Sequence, residues 1–511
     1  MSTLRNILNT GTAIYIEFII GFIVSIIIAR SLGPDQYGIY AFYIWVSSLL
    51  ITLAKNGIST GVIKFLAETK HKQDPSTTNN IYSYFLKMEV KVLIVIFICF
   101  GSIATFYWSS IFEFIEFFLI IPLLIAVYSK SLYMFLVSTS KGISRFDLLS
   151  KTVIIVGPLN LLIILYLHYT EASLHAFLYT FTITSVLYYV VLRKQSKAII
   201  QYNNQPIIES ETRIRIKRHV LLVSFNILLG FIIFRQSEVA FLNYFGSKED
   251  VAFYNIGFML ASGIMELIPG AYVMVLLPMV AGIYASDKDN LPNTLKNSIR
   301  YLFLLTFPAV IFGIYFSSEI INLVYGDQYN NAVMPFIFSL LSCGIIVLAQ
   351  PSISYLVSSD RQKDLLILLV ISATINIILD YFLIKEFMLQ GAITANLISN
   401  SFYSIVVISL ALIKIRTLPD LSVLMRLAIV SGTCLIPSLF LSYISVPGSI
   451  NLAISFFIFI LLYFILTVTM YCWKEKELEK IKEILQRFFS QKGLIIRLVN
   501  YSIKNKRTVN L

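Results

Sequence analysis

The chain has 511 residues, of which 57% are hydrophobic and only 13% charged, and its mean hydropathy is +0.80. This excludes an ordinary soluble domain, which would carry far more charge on its surface. Half of the formal net charge of +12 lies in the tail after Trp473.

Apolar runs of about 20 residues recur from end to end, each long enough as a helix to cross ~30 Å of hydrocarbon. Backbone groups in lipid must be satisfied internally, and no period-two alternation suggests a barrel, so the expected class is an all-α integral membrane protein. In chain order, spans are predicted near residues 9–29, 38–58, 89–108, 113–138, 148–168, 172–192, 219–243, 251–278, 299–318, 331–357, 365–384, 389–413, 421–443 and 449–472, about fourteen in all. The first is too long for a signal-peptide core and lacks an A-x-A cleavage site, so it is read as a span.

An even number of spans places both termini on one side. Lys and Arg crowd alternate loops, among them Lys64, Lys70 and Lys72, Lys141 and Arg145, Arg193 to Arg218, Arg361 and Lys363, and Lys414 and Arg416. The opposite loops hold Arg30, Lys248 and Lys385. By the positive-inside rule the basic loops and both termini are cytoplasmic.

Two outer turns resemble each other: "LGPDQYGIYAFYI" after the first span and "FGSKEDVAFYNI" after the seventh. Gly33 matches Gly246, and Tyr40 matches Tyr254. Six spans separate the copies, which predicts a parallel repeat of two six-helix lobes. The expected organisation is an N-terminal lobe (1–192), a basic linker (193–218), a C-terminal lobe (219–415), an extra helix pair (416–472) and a tail (473–511). Paired lobes predict a site near mid-membrane that opens alternately to either side. Prolines within spans, such as Pro158, Pro269 and Pro308, would supply kinks.

In the tail, Ile481, Ile484, Leu485, Phe488 and Phe489 share one helical stripe beside many Lys and Arg. That pattern fits an amphipathic helix on anionic membrane lipids rather than a nucleic-acid arm, because the stripe would otherwise have nothing to bury it.

Catalytic motifs are missing. "GISTG" at 57–61 matches G-x-S-x-G only formally, since it ends a membrane helix instead of following a strand. There is no Walker loop. Cys99, Cys343, Cys434 and Cys472 are widely spaced and read as buried apolar residues, and the four histidines form no ligand cluster.

What remains is charge inside the membrane. Arg30, Lys55, Lys130 and Arg235 are basic residues within or closing spans. Arg235 is the deepest, either paired with Glu238 at i,i+3 or facing a cavity. Lys55 has the alternative of snorkelling to the interface. In the eleventh span, Asn376 and Asp380 lie at i,i+4 on one face, where their oxygens could ligate a hard cation such as Na⁺ or exchange a proton. Interfacial solvation of Asp380 is the alternative.

The segments "ARSLGPDQYGIYAF", "NGISTGVIKFLAE", "VLLPMVAGIYAS", "LVYGDQYNNAVMPFIFSLLS" and "NIILDYFLIKEFMLQGAITANLIS" resemble, in content and order, those of polysaccharide-transporter (Wzx-type) flippases. These belong to the multidrug/oligosaccharidyl-lipid/polysaccharide exporter superfamily. The resemblance covers roughly residues 1–415. It implies a cytoplasmic (inner) membrane protein that moves a polyprenyl-diphosphate oligosaccharide outward through a cationic cavity, with Arg30, Lys55, Lys130 and Arg235 contacting the diphosphate. No cofactor is implied beyond Na⁺ or H⁺ as coupling ion. Polysaccharide polymerase and glycosyltransferases are implied as further partners. Lipid II flippases bind sodium through a span-7 carboxylate, an Asn-x-x-x-Asp pair on span 11 and a span-12 threonine, which here correspond to Glu238, Asn376, Asp380 and Thr394. Glu replaces the usual Asp on span 7. The alternatives are a multidrug/cation antiporter, whose cavity would favour carboxylates, and a membrane polysaccharide polymerase or ligase, which would need a large outer loop.

Overall fold

The protein is described by a computed structural model covering residues 2–55, 57–71, 75–111, 115–197, 199–234, 237–441, 448–488 and 503. Every regular element among these residues is helical, as an apolar chain that must satisfy its own backbone in lipid requires. Among the described residues, eleven stretches are long and apolar enough to cross a membrane, or twelve if the bent pair Lys248–Leu267 and Gly270–Ser286 forms one span. The chain is an all-helical, multi-pass membrane protein.

The described residues do not divide into fourteen separate helices, and the difference has a physical cause. Ile16–Thr69 and Gln362–Ile415 are apolar stretches of 54 residues each, the first made of parts of two helices, Ser2–Lys55 and Ile58–His71. A helix of that length runs about 80 Å, more than twice the hydrocarbon thickness. Each contains a residue with non-helical backbone, Gly33 (φ 69°, ψ 170°) before Pro34 and Met388 (φ 48°, ψ −123°). These interruptions fall where separate spans were expected to meet. The region of the eighth predicted span bends by 56° between Leu267 and Gly270. Pro269 lies at this bend and has no N–H to continue the helical ladder.

By packing, the chain forms two compact units, Met1–Ile256 with Leu369–Ser399, and Gly257–Leu368 with Asn400–Leu511. They reflect contacts rather than sequence repeats.

In the first unit, Ile120–Gly142 packs along Leu174–Ser196, and Ser2–Lys55 along Phe146–Tyr169. Val62, Phe65, Phe85, Phe135 and Leu192 are buried together in its core. The two resembling turns meet here. Tyr37 donates its hydroxyl hydrogen to Asn255 Oδ1 (3.1 Å), and Lys248 Nζ lies 3.6 Å from Asp35 Oδ1. A Cβ on Gly38 would come within 1.9 Å of the Lys248 carbonyl oxygen. Their glycines are not equivalent, however, because Gly246 is extended (φ −102°, ψ −155°) while Gly33 has a positive φ.

Past Met388 the chain returns very close to itself. A Cβ on Gly391 would lie 2.1 Å from the Leu383 carbonyl oxygen and 2.4 Å from its carbon. Backbone cannot yield as a side-chain tip can, so Gly391→Ala should destabilise the protein by about 1–3 kcal/mol or more. The yield of monodisperse protein after detergent extraction checks this, with Gly432→Ala, where nothing lies within 4 Å, as the harmless control. Equal yields for the two variants would contradict the close approach.

In the second unit, Phe312, Phe316, Val430, Cys434 and Phe459 share a core. The helix Glu475–Phe488 is fastened to this unit. Arg300, itself buried, donates Nη1–H to the Cys472 carbonyl (3.1 Å) and pairs through Nη2 with Glu477. Glu477 also accepts the Tyr301 hydroxyl and, at 2.7 Å, the Lys474 backbone N–H. Burial pushes the Glu477 carboxyl up, but these hydrogen bonds and the Arg300 charge outweigh it and hold the group below its ordinary value of 4.5. The latch therefore contributes fully above that value and is lost as pH falls through the lower folded one.

Leu478 of this helix is buried, and Lys474, Lys476 and Lys480 are exposed. Of the expected apolar stripe, Phe489 and the side chains of Ile484, Leu485 and Phe488 lie outside the described residues. Cys343, Cys434 and Cys472 are buried, while Cys99 is exposed; all four are free.

Candidate functional site

Three pieces of chain in the first unit bring an oxygen-rich cluster together. Glu238 opens the short helix Glu238–Phe245, where the positive end of the helix dipole favours a carboxylate. Asn376 and Asp380 sit one turn apart, and Asp380 begins a π-helical turn, Asp380–Ile384. Such single wide turns are frequent at functional sites, because the added residue re-aims side chains. Asn396 comes from beyond the Met388 interruption.

Glu238, Asn376 and Asp380 have no exposure at all, and Asn396 has 3%. Asn396 donates Nδ2–H to Glu238 Oε1 at 2.9 Å, and Asn376 donates to the same oxygen at 3.4 Å. Ser237 donates its hydroxyl hydrogen to Asp380 Oδ2 at 2.9 Å. The Tyr254 hydroxyl is beside Glu238. Glu238 Oε2, Asn376 Oδ1 and Asp380 Oδ1 are buried acceptors that find no donor among the described residues.

The two carboxylates are close enough to repel each other. Two like charges buried together require a counter-ion or a proton. Unpaired oxygens from a Glu, an Asp and an Asn form a hard donor set, suited to Na⁺. The residues present therefore fit a monovalent cation or a proton.

Thr394 stands apart from this cluster. Its hydroxyl bonds within its own helix, to the carbonyls of Gln390 (2.8 Å) and Gly391 (3.0 Å). Asn396 is the residue on this helix that reaches Glu238, and sequence reading missed it together with Ser237 and Tyr254. A signal for Asn396 existed, because it falls on the helical stripe of Ala392, Ala395 and Ser399, all buried.

The basic residues are distributed differently from expectation. Lys130 borders a cavity of about 270 Å³ with Glu17, Tyr40, Asn160, Thr180 and Thr184 among its lining. Its ammonium lies 5.0 Å from the Tyr133 ring centroid and 4.8 Å from that of Tyr188. Glu17 interacts with it electrostatically, so this cavity carries both signs of charge. Arg30 is exposed and Lys55 half-buried, and neither lines the cavity. Lys55 instead interacts electrostatically with Glu89, a buried carboxylate that sequence reading did not single out. Arg235 lies outside the described residues.

Structural comparison finds the same fold in "Lipid II flippase MurJ, inward closed conformation", with a TM-score of 0.73 at 14% identity, covering 90% of this chain and 98% of that one. An inward-facing multidrug resistance MATE family transporter of the MOP superfamily matches with a TM-score of 0.58 at 14% identity, covering 78% and 94%. A MOP superfamily transporter from Pyrococcus furiosus matches with a TM-score of 0.54 at 13% identity, covering 81% and 96%. No curated protein matches by sequence. The family model for lipid II flippase MurJ matches residues 247–463. That for polysaccharide biosynthesis protein matches residues 27–334, more than half of the chain. The chain therefore belongs to the polysaccharide biosynthesis protein family and has the fold of these solved flippase and transporter structures.

Proposed function

We propose that this protein is a flippase that moves a polyprenyl-diphosphate-linked oligosaccharide from the cytoplasmic to the outer leaflet of the cytoplasmic membrane by alternating access. The observation that carries this reading is a polysaccharide-biosynthesis match on a fold shared over 90% of the chain with a lipid II flippase. The physical task fits as well. A diphosphate crossing a low-dielectric layer needs fixed positive charge, and sugars need hydroxyls and aromatic faces. Lys130, with Tyr133 and Tyr188 under its ammonium and Thr180 and Thr184 on the cavity wall, offers these groups. On the sequence reading, Arg235 supplies a bidentate phosphate contact, and both termini face the cytoplasm.

Glu238, Asn376, Asp380 and Asn396 form the coupling site in this reading, for Na⁺ or H⁺. A multidrug/cation antiporter is the second reading, favoured by the same buried carboxylates. The matched flippase and transporters give no support to a polymerase or ligase.

Proteoliposomes separate the two readings. They contain a fluorescently labelled polyprenyl-diphosphate oligosaccharide and, in a parallel preparation, a cationic dye. The expected result is protein-dependent loss of the labelled lipid from the leaflet reached by an impermeant quencher, without dye accumulation. Dye accumulation with an immobile lipid would favour the antiporter and overturn the flippase.

A further inference from the structure

Basic side chains gather where the helices Ile58–His71 and Ser210–Phe234 pack together. From Arg213 to Arg218 the second helix carries four cations, Arg213, Arg215, Lys217 and Arg218, and no acid. All four are exposed, as is Lys64 on the first helix. So many like charges in a short stretch repel one another unless anions come to them.

Contacts fix where these groups stand. Phe65, itself buried, has the Lys64 ammonium 5.5 Å and the Arg215 guanidinium 5.4 Å from its ring centroid. The His219 ring stands edge-on to it at 6.0 Å, and His219 Nε2 lies 3.4 Å from Thr60 Oγ1. Gly57 seats the two helices tightly, since a Cβ there would come within 2.3 Å of the Val220 carbonyl oxygen and 2.6 Å of Ser224 Oγ. Glu68 pairs with Arg215 at 3.2 Å and is the one carboxylate in ion-pair contact with these cations among the described residues.

Beyond this basic end the same helix turns apolar without becoming buried. Arg218 shares a face with Leu221, Leu222 and Phe225, at i+3, i+4 and i+7. These three are 72%, 54% and 51% exposed. The face passes from charge to hydrocarbon over about 10 Å of helix axis. A free anion would satisfy only its charged part, and a hydrocarbon chain only the rest. A molecule with an anionic head and apolar tails satisfies both. The positive-inside rule assigns this basic segment to the cytoplasmic side, where anionic lipids attract such segments.

We propose that Lys64, Arg215 and Arg218 hold the phosphate headgroup of an anionic membrane phospholipid, whose acyl chains lie along Leu221, Leu222 and Phe225. The planar Arg218 guanidinium suits two phosphate oxygens at once, and Lys64 adds a point charge from the neighbouring helix. Arg215 keeps its bond to Glu68 and contributes through its remaining N–H groups. The assignment stands independently of what the protein transports.

The test uses full-length protein in non-ionic detergent and two fluorescent probes with identical acyl chains, phosphatidylglycerol and phosphatidylcholine. Phosphatidylglycerol should bind at least about tenfold more tightly. Lys64→Gln combined with Arg218→Gln should remove that preference without changing the size-exclusion profile, because both side chains are exposed. Lys288→Gln combined with Lys363→Gln takes the same charge from exposed positions elsewhere and should leave the preference intact. Leu221→Ser combined with Leu222→Ser should weaken both probes and keep the order between them.

Equal binding of the two lipids by wild type, or no binding, overturns the site. So does a preference that survives Lys64→Gln with Arg218→Gln, or one lost equally in the Lys288 and Lys363 variant, which would mean diffuse attraction by net charge. Competition identifies the source of the phosphate. Unlabelled phosphatidylglycerol should displace the probe at lower concentration than inorganic phosphate or farnesyl diphosphate. Displacement by inorganic phosphate at equal concentration overturns the lipid assignment. Tighter competition by farnesyl diphosphate gives the site to a polyprenyl diphosphate and overturns the phospholipid.

Discussion

Asp380→Asn should abolish cation-dependent transport while leaving the protein inserted and folded. The carboxamide matches the carboxylate in size and can still accept the Ser237 hydrogen bond. It removes the negative charge, however, and places a donor where the other Asp380 oxygen stood. A buried cation loses both a ligand and a counter-charge, which no nearby side chain replaces. If the site binds the ion only in the folded state, saturation a hundredfold above the dissociation constant stabilises wild type by about 2.7 kcal/mol. Unfolding midpoints in sodium and in choline chloride read this directly. Wild type should be more stable in sodium, and Asp380→Asn should behave alike in both salts. A proton-coupled site would instead give transport that depends on pH in wild type, indifferent to sodium, with that pH dependence lost in the variant. Unchanged ion dependence and unchanged transport in Asp380→Asn would remove the cluster as the coupling site.

Lys130→Met should lower the initial flipping rate at least tenfold, about 1.4 kcal/mol in the barrier, at normal protein abundance. Methionine fills much of the same apolar stem space but cannot hold a phosphate. Lys130→Arg should recover part of the rate, because it keeps the charge and the attraction to the two tyrosine faces. A purely structural role predicts otherwise. In that case Lys130 only neutralises Glu17 within the cavity, and Glu17→Gln combined with Lys130→Met restores both abundance and transport. Rates of reconstituted, equally abundant proteins distinguish the two, since a well-folded but inactive double variant assigns Lys130 to the substrate.

Much of the fold is legible in the residues because lipid leaves few choices. Apolar length sets a span, and each breaker acts where it stands: Gly33 before Pro34, Pro269 at the 56° bend. The i,i+4 pair Asn376 and Asp380 follows from helical geometry alone, and so does their shared face. Other features depend on long-range packing. Asn396 and Glu238 are 158 positions apart, and only the close return of the chain past Met388 decides that Asn396, rather than Thr394, faces the carboxylate. Glu89 escapes sequence reading for a similar reason. In a helix that begins with polar residues it reads as one more interfacial charge, and its complete burial against neighbouring helices is a tertiary fact. The mixed charge of the Lys130 cavity likewise requires Glu17, from another helix, to share the space.

The Arg300–Glu477 latch has a consequence for how the chain is made. Arg300 is buried, and its carboxylate partner is 177 residues further along the sequence. While the ribosome is still producing the last helices, Arg300 has neither Glu477 nor the Cys472 carbonyl to receive its hydrogen bonds. A guanidinium left in that state is costly enough to hold the surrounding helices open. Arg300 finds these partners only once the chain as far as Glu477 has been made. A product truncated before Cys472 would keep an uncompensated guanidinium among its helices, so the latch ties the packing of these helices to the segment that follows them.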